Sequence, residues 1–185
     1  MDITNQYPWY DVVEDHYLEQ GDLLKNCPVL EPIWNESVDA DDKTYNLQAR
    51  ELRYDVLVMT QSCDLANDKV DMVLVCPCIS IEVFEQQNWP DRNKKEKGKF
   101  RESIRQGQMP GYHMLAPCDI QDSQHDIQIV SFYQVFSLPK TLVSHIANRR
   151  VPRIRLLPPY REHLGQAFAR FFMRVGLPID IPRQR

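Results

Sequence analysis

Between residues 53 and 80 the chain carries two apolar runs, VLVM at 56–59 and MVLVC at 72–76, on either side of a polar connection. Both are dense in branched side chains that suit a pleated, buried surface, and the pattern predicts a β-hairpin. The segment Thr60-Gln61-Ser62-Cys63-Asp64 falls where the first strand ends. A rigid strand fixes side chains there while the loop leaves them accessible. Upstream, Gly21-Asp22-Leu23-Leu24 followed by Cys27-Pro28-Val29-Leu30 predicts a strand opened by a glycine turn and ended near Pro32. The first 20 residues mix Tyr7, Trp9, Tyr10 and Tyr17 with acids, which predicts an irregular arm or a short helix. Residues 35–50 hold four acids and few large apolar groups, and predict an exposed loop.

Beyond the hairpin, residues 81–87 fit either strand or helix, and residues 88–111 are polar and cationic. That composition predicts a mobile, solvated insertion, with a nucleic-acid arm as the functional alternative. Tyr112-His113-Met114-Leu115 and residues 127–135 predict two strands, joined by a turn through Pro117 and the polar run 119–126. Pro139 suits the first turn of a helix carrying Leu142, Val143 and Ile146 on one face. After Pro158-Pro159, the spacing of Leu164, Ala167, Phe168, Phe171, Phe172 and Val175 predicts a last helix, ended by Gly176 and Pro178. Its apolar stripe is expected on the sheet, with Arg170 and Arg174 on a solvated face. The expectation is an α+β protein forming a single domain over 1–185. It has an arm at 1–20, the first strands at 21–87, a basic insertion at 88–111, and the remaining strands and helices at 112–185.

With 185 residues and 43% hydrophobic composition the chain can bury one substantial core. No apolar run approaches the roughly 20 residues that cross a bilayer, and the first residues lack a basic, greasy leader, so a cytoplasmic location is expected. Five cysteines, an odd number without even spacing, predict reduced thiols.

The net charge of −4 conceals a division along the chain. Residues 1–90 carry 5 lysines and arginines against 18 acids, whereas residues 91–185 carry 17 against 8. Arg149, Arg150, Arg153 and Arg155 lie close together in the basic part and form a candidate phosphate-binding group. The opposing expectation is that the acidic half neutralises them.

Other chemistry is sparse. Cys63 beside Asp64 could act as a thiol nucleophile with His113, His125 or His145 as base, against the simpler reading of an inert cysteine. Cys76 and Cys78 share a strand face and could join Cys63 and a histidine around zinc, but the Cys-x-x-Cys spacing is missing, and no metal is expected. Residues 61–64 could equally form a polar turn whose side chains cap backbone groups. No phosphate-binding or dinucleotide-binding glycine motif is present, so no cofactor is expected.

The order of these segments resembles the MazF/PemK toxin family. The resemblance rests on the Gly21-Asp22-Leu23-Leu24 start, Arg53 ahead of the aliphatic run ending at Thr60, Val73-Leu74-Val75-Cys76-Pro77-Cys78 leading to Ser80, and Val135-Phe136-Ser137-Leu138 ahead of a final helix. It covers about half of the chain. Tyr54-Asp55 stands where that family has a proline after the arginine. The resemblance implies a strongly curved, mostly antiparallel SH3-like barrel and a homodimeric, metal-independent endoribonuclease of toxin or phage-defence type. By the same resemblance Arg53 with Ser80, and Thr60 at the strand end, would hold the scissile phosphate of single-stranded RNA and assist its 2′-oxygen. Alternatives are a non-catalytic module on the same barrel that binds an antitoxin-like or other protein partner, and a cysteine-dependent hydrolase centred on Cys63.

Overall fold

The structure, a computed structural model, describes residues 7–33, 48–121 and 123–173. In chain order its elements are β1 (Tyr10–Val13), β2 (Asp22–Ile33), β3 (Gln48–Val58), α1 (Ser62–Ala66), β4 (Met72–Ser80), α2 (Ile81–Asn88), α3 (Lys94–Arg105), β5 (Tyr112–Leu115), β6 (Gln128–Ser131), β7 (Phe136–Pro139), α4 (Lys140–Arg149), β8 (Arg153–Leu156) and α5 (Tyr160–Phe172). The fold is mixed α+β with antiparallel pairing. Two compact units are built from interleaved pieces of chain, one from 1–11, 79–134 and 156–185, the other from 12–78 and 135–155.

In the second of these, here the sheet unit, strands run in the order β8-β2-β3-β4-β7. The hairpin predicted from the two apolar runs is present, with Val56, Leu57 and Val58 opposite Pro77, Cys76 and Val75. Its connection holds the short helix α1, which its sequence did not announce. The β2–β3 register shifts between Leu24 and Cys27. Asn26 takes a positive φ of 51° at that point, and its amide donates to Asp55 Oδ1 at 2.7 Å. Such a bulge bends a strand and sharpens its twist. Val29, Val56, Val58, Val73 and Val75 face Val143, Ile146 and Ala147 of α4 in one buried cluster. The sheet does not close, because no ladder joins β7 to β8 among the described residues. The barrel closure expected from sequence is therefore not made. Two further corrections fall here: Gln48, Ala49 and Arg50 belong to β3 rather than to a loop, and Tyr10–Val13 form strand β1 where an irregular arm or short helix was expected. The rest of the expected loop lies outside the described residues.

In the other unit, here the helical unit, β5 and β6 form the expected hairpin, with Tyr112 opposite Ser131 and Leu115 opposite Gln128. A bridge between Cys118 and His125 extends it. Residues 88–111, expected as a mobile insertion, contain the ordered helix α3. A capping box starts it: Asn93 accepts from the Glu96 amide at 3.1 Å, and Glu96 accepts from the Asn93 amide at 3.1 Å. Ile104 is buried against Ile81, Phe84 and Ile129, and the Phe100 ring stacks on Trp89 at 4.4 Å. Arg101 clasps the buried Glu85 of α2 with two nitrogens, one of them at 2.9 Å. Along α5, Leu164 is fully buried, while Phe168 and Phe171 meet Phe132 at 5.3 and 6.0 Å. The expected helix end at Val175, Gly176 and Pro178, together with Arg174, lies outside the described residues. No described helix is long and apolar enough to cross a membrane.

Candidate functional site

The residues singled out between 53 and 80 have local structural partners. Arg53, half-exposed on β3, lies 2.5 Å from the carboxylate of Glu51. Ser80 caps α2, its Oγ accepting from the Val83 amide at 3.3 Å. The two fall in different units. Thr60 Oγ1 accepts from the Leu74 amide at 2.8 Å, and Ser62 Oγ accepts from the Gln20 amide at 3.1 Å. Thr60 and Ser62 thus satisfy backbone donors, but residues 62–64 open helix α1 rather than a turn, and Asp64 pairs with Lys69 instead of capping the backbone.

Cys63 is the exposed cysteine and lines a depression of ≈ 560 Å³ in the sheet unit together with His16, Glu19 and Lys140. Of the histidines proposed as its base, His113 and His125 belong to the helical unit and His145 is exposed on α4. His16, which sequence reasoning did not pick, lies 3.3 Å from Asn148 Oδ1 through Nδ1. Cys76 and Cys78 are buried in β4, and burial pushes the Cys76 thiol up to about 12 and the Cys78 thiol higher still. Neither is a thiolate near neutral pH. Among the described residues no cluster of three or more His, Cys, Asp or Glu side chains is arranged to hold a metal.

The four arginines expected to bind phosphate divide. Arg149 is exposed in the last turn of α4, and Arg150 donates to the Lys25 carbonyl. Arg153 and Arg155 are only 3% and 6% exposed. Arg153 Nε lies 3.0 Å from Asp22 Oδ2, and Arg155 reaches Asp22 Oδ1 at 2.5 Å and Glu19 Oε1 at 2.8 Å. Arg153 also pairs with Asp15 at 3.0 Å, and both guanidinia donate to the Tyr17 carbonyl. Burial acts to raise the Asp15 pKa, but the Tyr17 amide and the two arginines outweigh it and hold the carboxyl below its usual range. These two guanidinia are spent inside the protein, and the expected four-arginine phosphate group is corrected to the outlying pair. Acidic residues near the start of the chain neutralise them, as the opposing charge reading expects.

The helical unit holds the better candidate. A cleft of ≈ 640 Å³ opens between the β5–β6 hairpin, α3 and α5. Its floor is apolar, with Ile104, Met114, Leu115 and Ile127. At one side Trp9 and Tyr160 stack nearly parallel, centroids 3.7 Å apart and planes 10° apart, and the Leu157 amide donates to the Trp9 carbonyl at 2.8 Å to hold that segment. His113 projects from β5, its ring 6.3 Å from that of Phe132. His163 follows Tyr160 by three positions on α5, which puts both on one helix face. Burial, and then the nearby charge of His163, pull the His113 pKa down to about 4, so its ring is neutral near pH 7. Arg105 and Arg170 complete the lining. Arg105 forms a bidentate pair with Glu102 at the surface, Nε to Oε2 2.7 Å and Nη2 to Oε1 2.5 Å, so a ligand anion would have to share or displace that carboxylate. No Asp or Glu lines the cleft among the described residues.

Tyr160 and His163 were missed in sequence because they read as the polar face of an amphipathic helix. Trp9 was noted only as part of an arm. The signal that could have flagged them is the convergence of aromatic, imidazole and guanidinium groups, which needs the fold. No protein-family model matches the chain, and a search of curated proteins finds no significant relative.

Proposed function

We propose that the protein binds single-stranded RNA through the helical-unit cleft and is a nucleic-acid-directed protein of the MazF/PemK kind. One observation carries this reading: a chain with 26 acids presents a cleft whose described lining holds two arginines, two histidines and an aromatic stack, and no carboxylate. A base has a π-face to stack on and a phosphate has guanidinia to meet, which is how single strands are held. The volume falls within the 300–1,000 Å³ or so typical of ligand pockets. In the sheet unit, the bulged β2 antiparallel to β3, and β3 antiparallel to β4, supports reading that sheet as an opened SH3-like one.

Fluorescence anisotropy with a labelled mixed-sequence oligoribonucleotide in EDTA tests the assignment. Trp9→Ala should weaken binding by roughly 1–3 kcal/mol, the usual worth of one stacked base. Arg170→Ala should weaken it as well. A wild-type protein that leaves the probe free at high micromolar concentration refutes the RNA reading.

A second reading, a protein-interaction module without catalysis, is favoured by Tyr133, Phe172 and Met173, which are 60%, 62% and 76% exposed in the same unit. The partner would be a second copy or an antitoxin-like protein, and sedimentation of the purified chain at two concentrations separates self-association from a monomer.

A further inference from the structure

Resting on the assignment of the cleft to RNA, we propose that His113 and His163 are the acid–base pair of a metal-free RNA transesterification. Both imidazoles line one cleft with Arg105 and Arg170, on elements that fix them differently. His113 is held on β5 beside Phe132, half-buried, whereas His163 stands exposed on α5. The stacked Trp9 and Tyr160 line the same cleft, so a strand stacked there with a phosphate at the guanidinia would have its sugar in the space that both rings share.

The step balances without a metal, a cofactor or water. His113 removes the proton from the 2′-hydroxyl, the 2′-oxygen bonds to phosphorus, the bond from phosphorus to O5′ breaks, and His163 delivers a proton to the departing O5′. The products are a 2′,3′-cyclic phosphate and a 5′-hydroxyl. The roles follow from the surroundings. Burial leaves the His113 ring unprotonated with its lone pair free but makes it a weak base, and the negative phosphate entering beside it raises its basicity towards the working range. His163 stands exposed on α5, where solvent can return a proton between turnovers. The charged groups lining the cleft with His113 are Arg105 from α3 and His163 and Arg170 from α5, and the phenols of Tyr112 and Tyr160 complete its titratable set.

The experiment compares a mixed-sequence oligoribonucleotide with its all-2′-deoxy counterpart, both in EDTA. The expected result is binding of both, cleavage of the RNA alone, and fragments ending in a 2′,3′-cyclic phosphate. His163→Ala and His113→Gln should each slow cleavage by about 100-fold or more, the usual contribution of one acid or base. RNA affinity should stay within a few-fold, and His163→Ala should remove one limb of the pH–rate profile. Binding without cleavage, undiminished cleavage by the histidine variants, or fragments ending in a 3′-hydroxyl each overturns the pair while leaving RNA binding in place. Failure of both strands to bind removes the RNA assignment itself.

Discussion

Asp22 is fully buried, and what keeps it tolerable is the two arginines that were expected to face a nucleic acid. Taking a carboxylate and a guanidinium out of water costs several kcal/mol each, and only close geometry with further hydrogen bonds offsets it. The cluster supplies that, since Arg155 also meets Glu19 and the Tyr17 carbonyl. Removing one partner is therefore worse than the pair is good. Arg155→Ala should lower the unfolding free energy by roughly 3–5 kcal/mol, because Asp22 loses its closest cation in a dry site. Urea denaturation followed by fluorescence measures this. A loss below about 1 kcal/mol, the range of exposed pairs, would mean that the cluster is wetter than its burial indicates.

At the scale of elements, α3 shows why a charged segment can still be a built part of a fold. Lys94, Lys95, Lys97 and Lys99 dominate the composition of the segment, and composition argued for solvated chain. What orders it is local and sparse: the Asn93–Glu96 box, the Glu85–Arg101 clasp, and Phe100 and Ile104 four positions apart on one face. Asn93→Ala should cost about 1 kcal/mol by leaving the Glu96 amide without its cap, read as a lower midpoint in thermal unfolding. An unchanged midpoint would assign the helix entirely to its packing. Elsewhere the apolar pattern was sufficient. The 56–59 run up to Val58, the 72–76 run, Tyr112 to Leu115, and the Leu142-Val143-Ile146 face all stand in the elements they indicated. Strand β8 was not legible, because its alternating arginines read as surface until Asp15 and Asp22 are brought to them. The cleft was illegible for the same reason. Its residues come from positions near 9, 105, 113, 160 and 170, and nothing short of the fold places them together.

Over the whole molecule, charge decides how strongly a polyanion can be held. The basic second part of the chain supplies fewer working cations than its composition suggests, since Arg153 and Arg155 are consumed by acids. If RNA is held at the cleft, Arg105 and Arg170 are the guanidinia that neutralise phosphates there. Counterion release then fixes the salt response: for a single strand, the slope of log K against log salt is about −0.7 per phosphate neutralised, so two contacts give about −1.4. Arg170→Ala should bring it to about −0.7, and Arg149→Ala, on α4, should leave it unchanged. Titrations between about 50 and 300 mM salt, over which the Debye length falls from roughly 14 to roughly 6 Å, resolve these values. A wild-type slope steeper than about −3 requires four or more phosphate contacts. The exposed lysines of α3 or Arg149 would then have to take part, and the strand would extend well beyond the cleft.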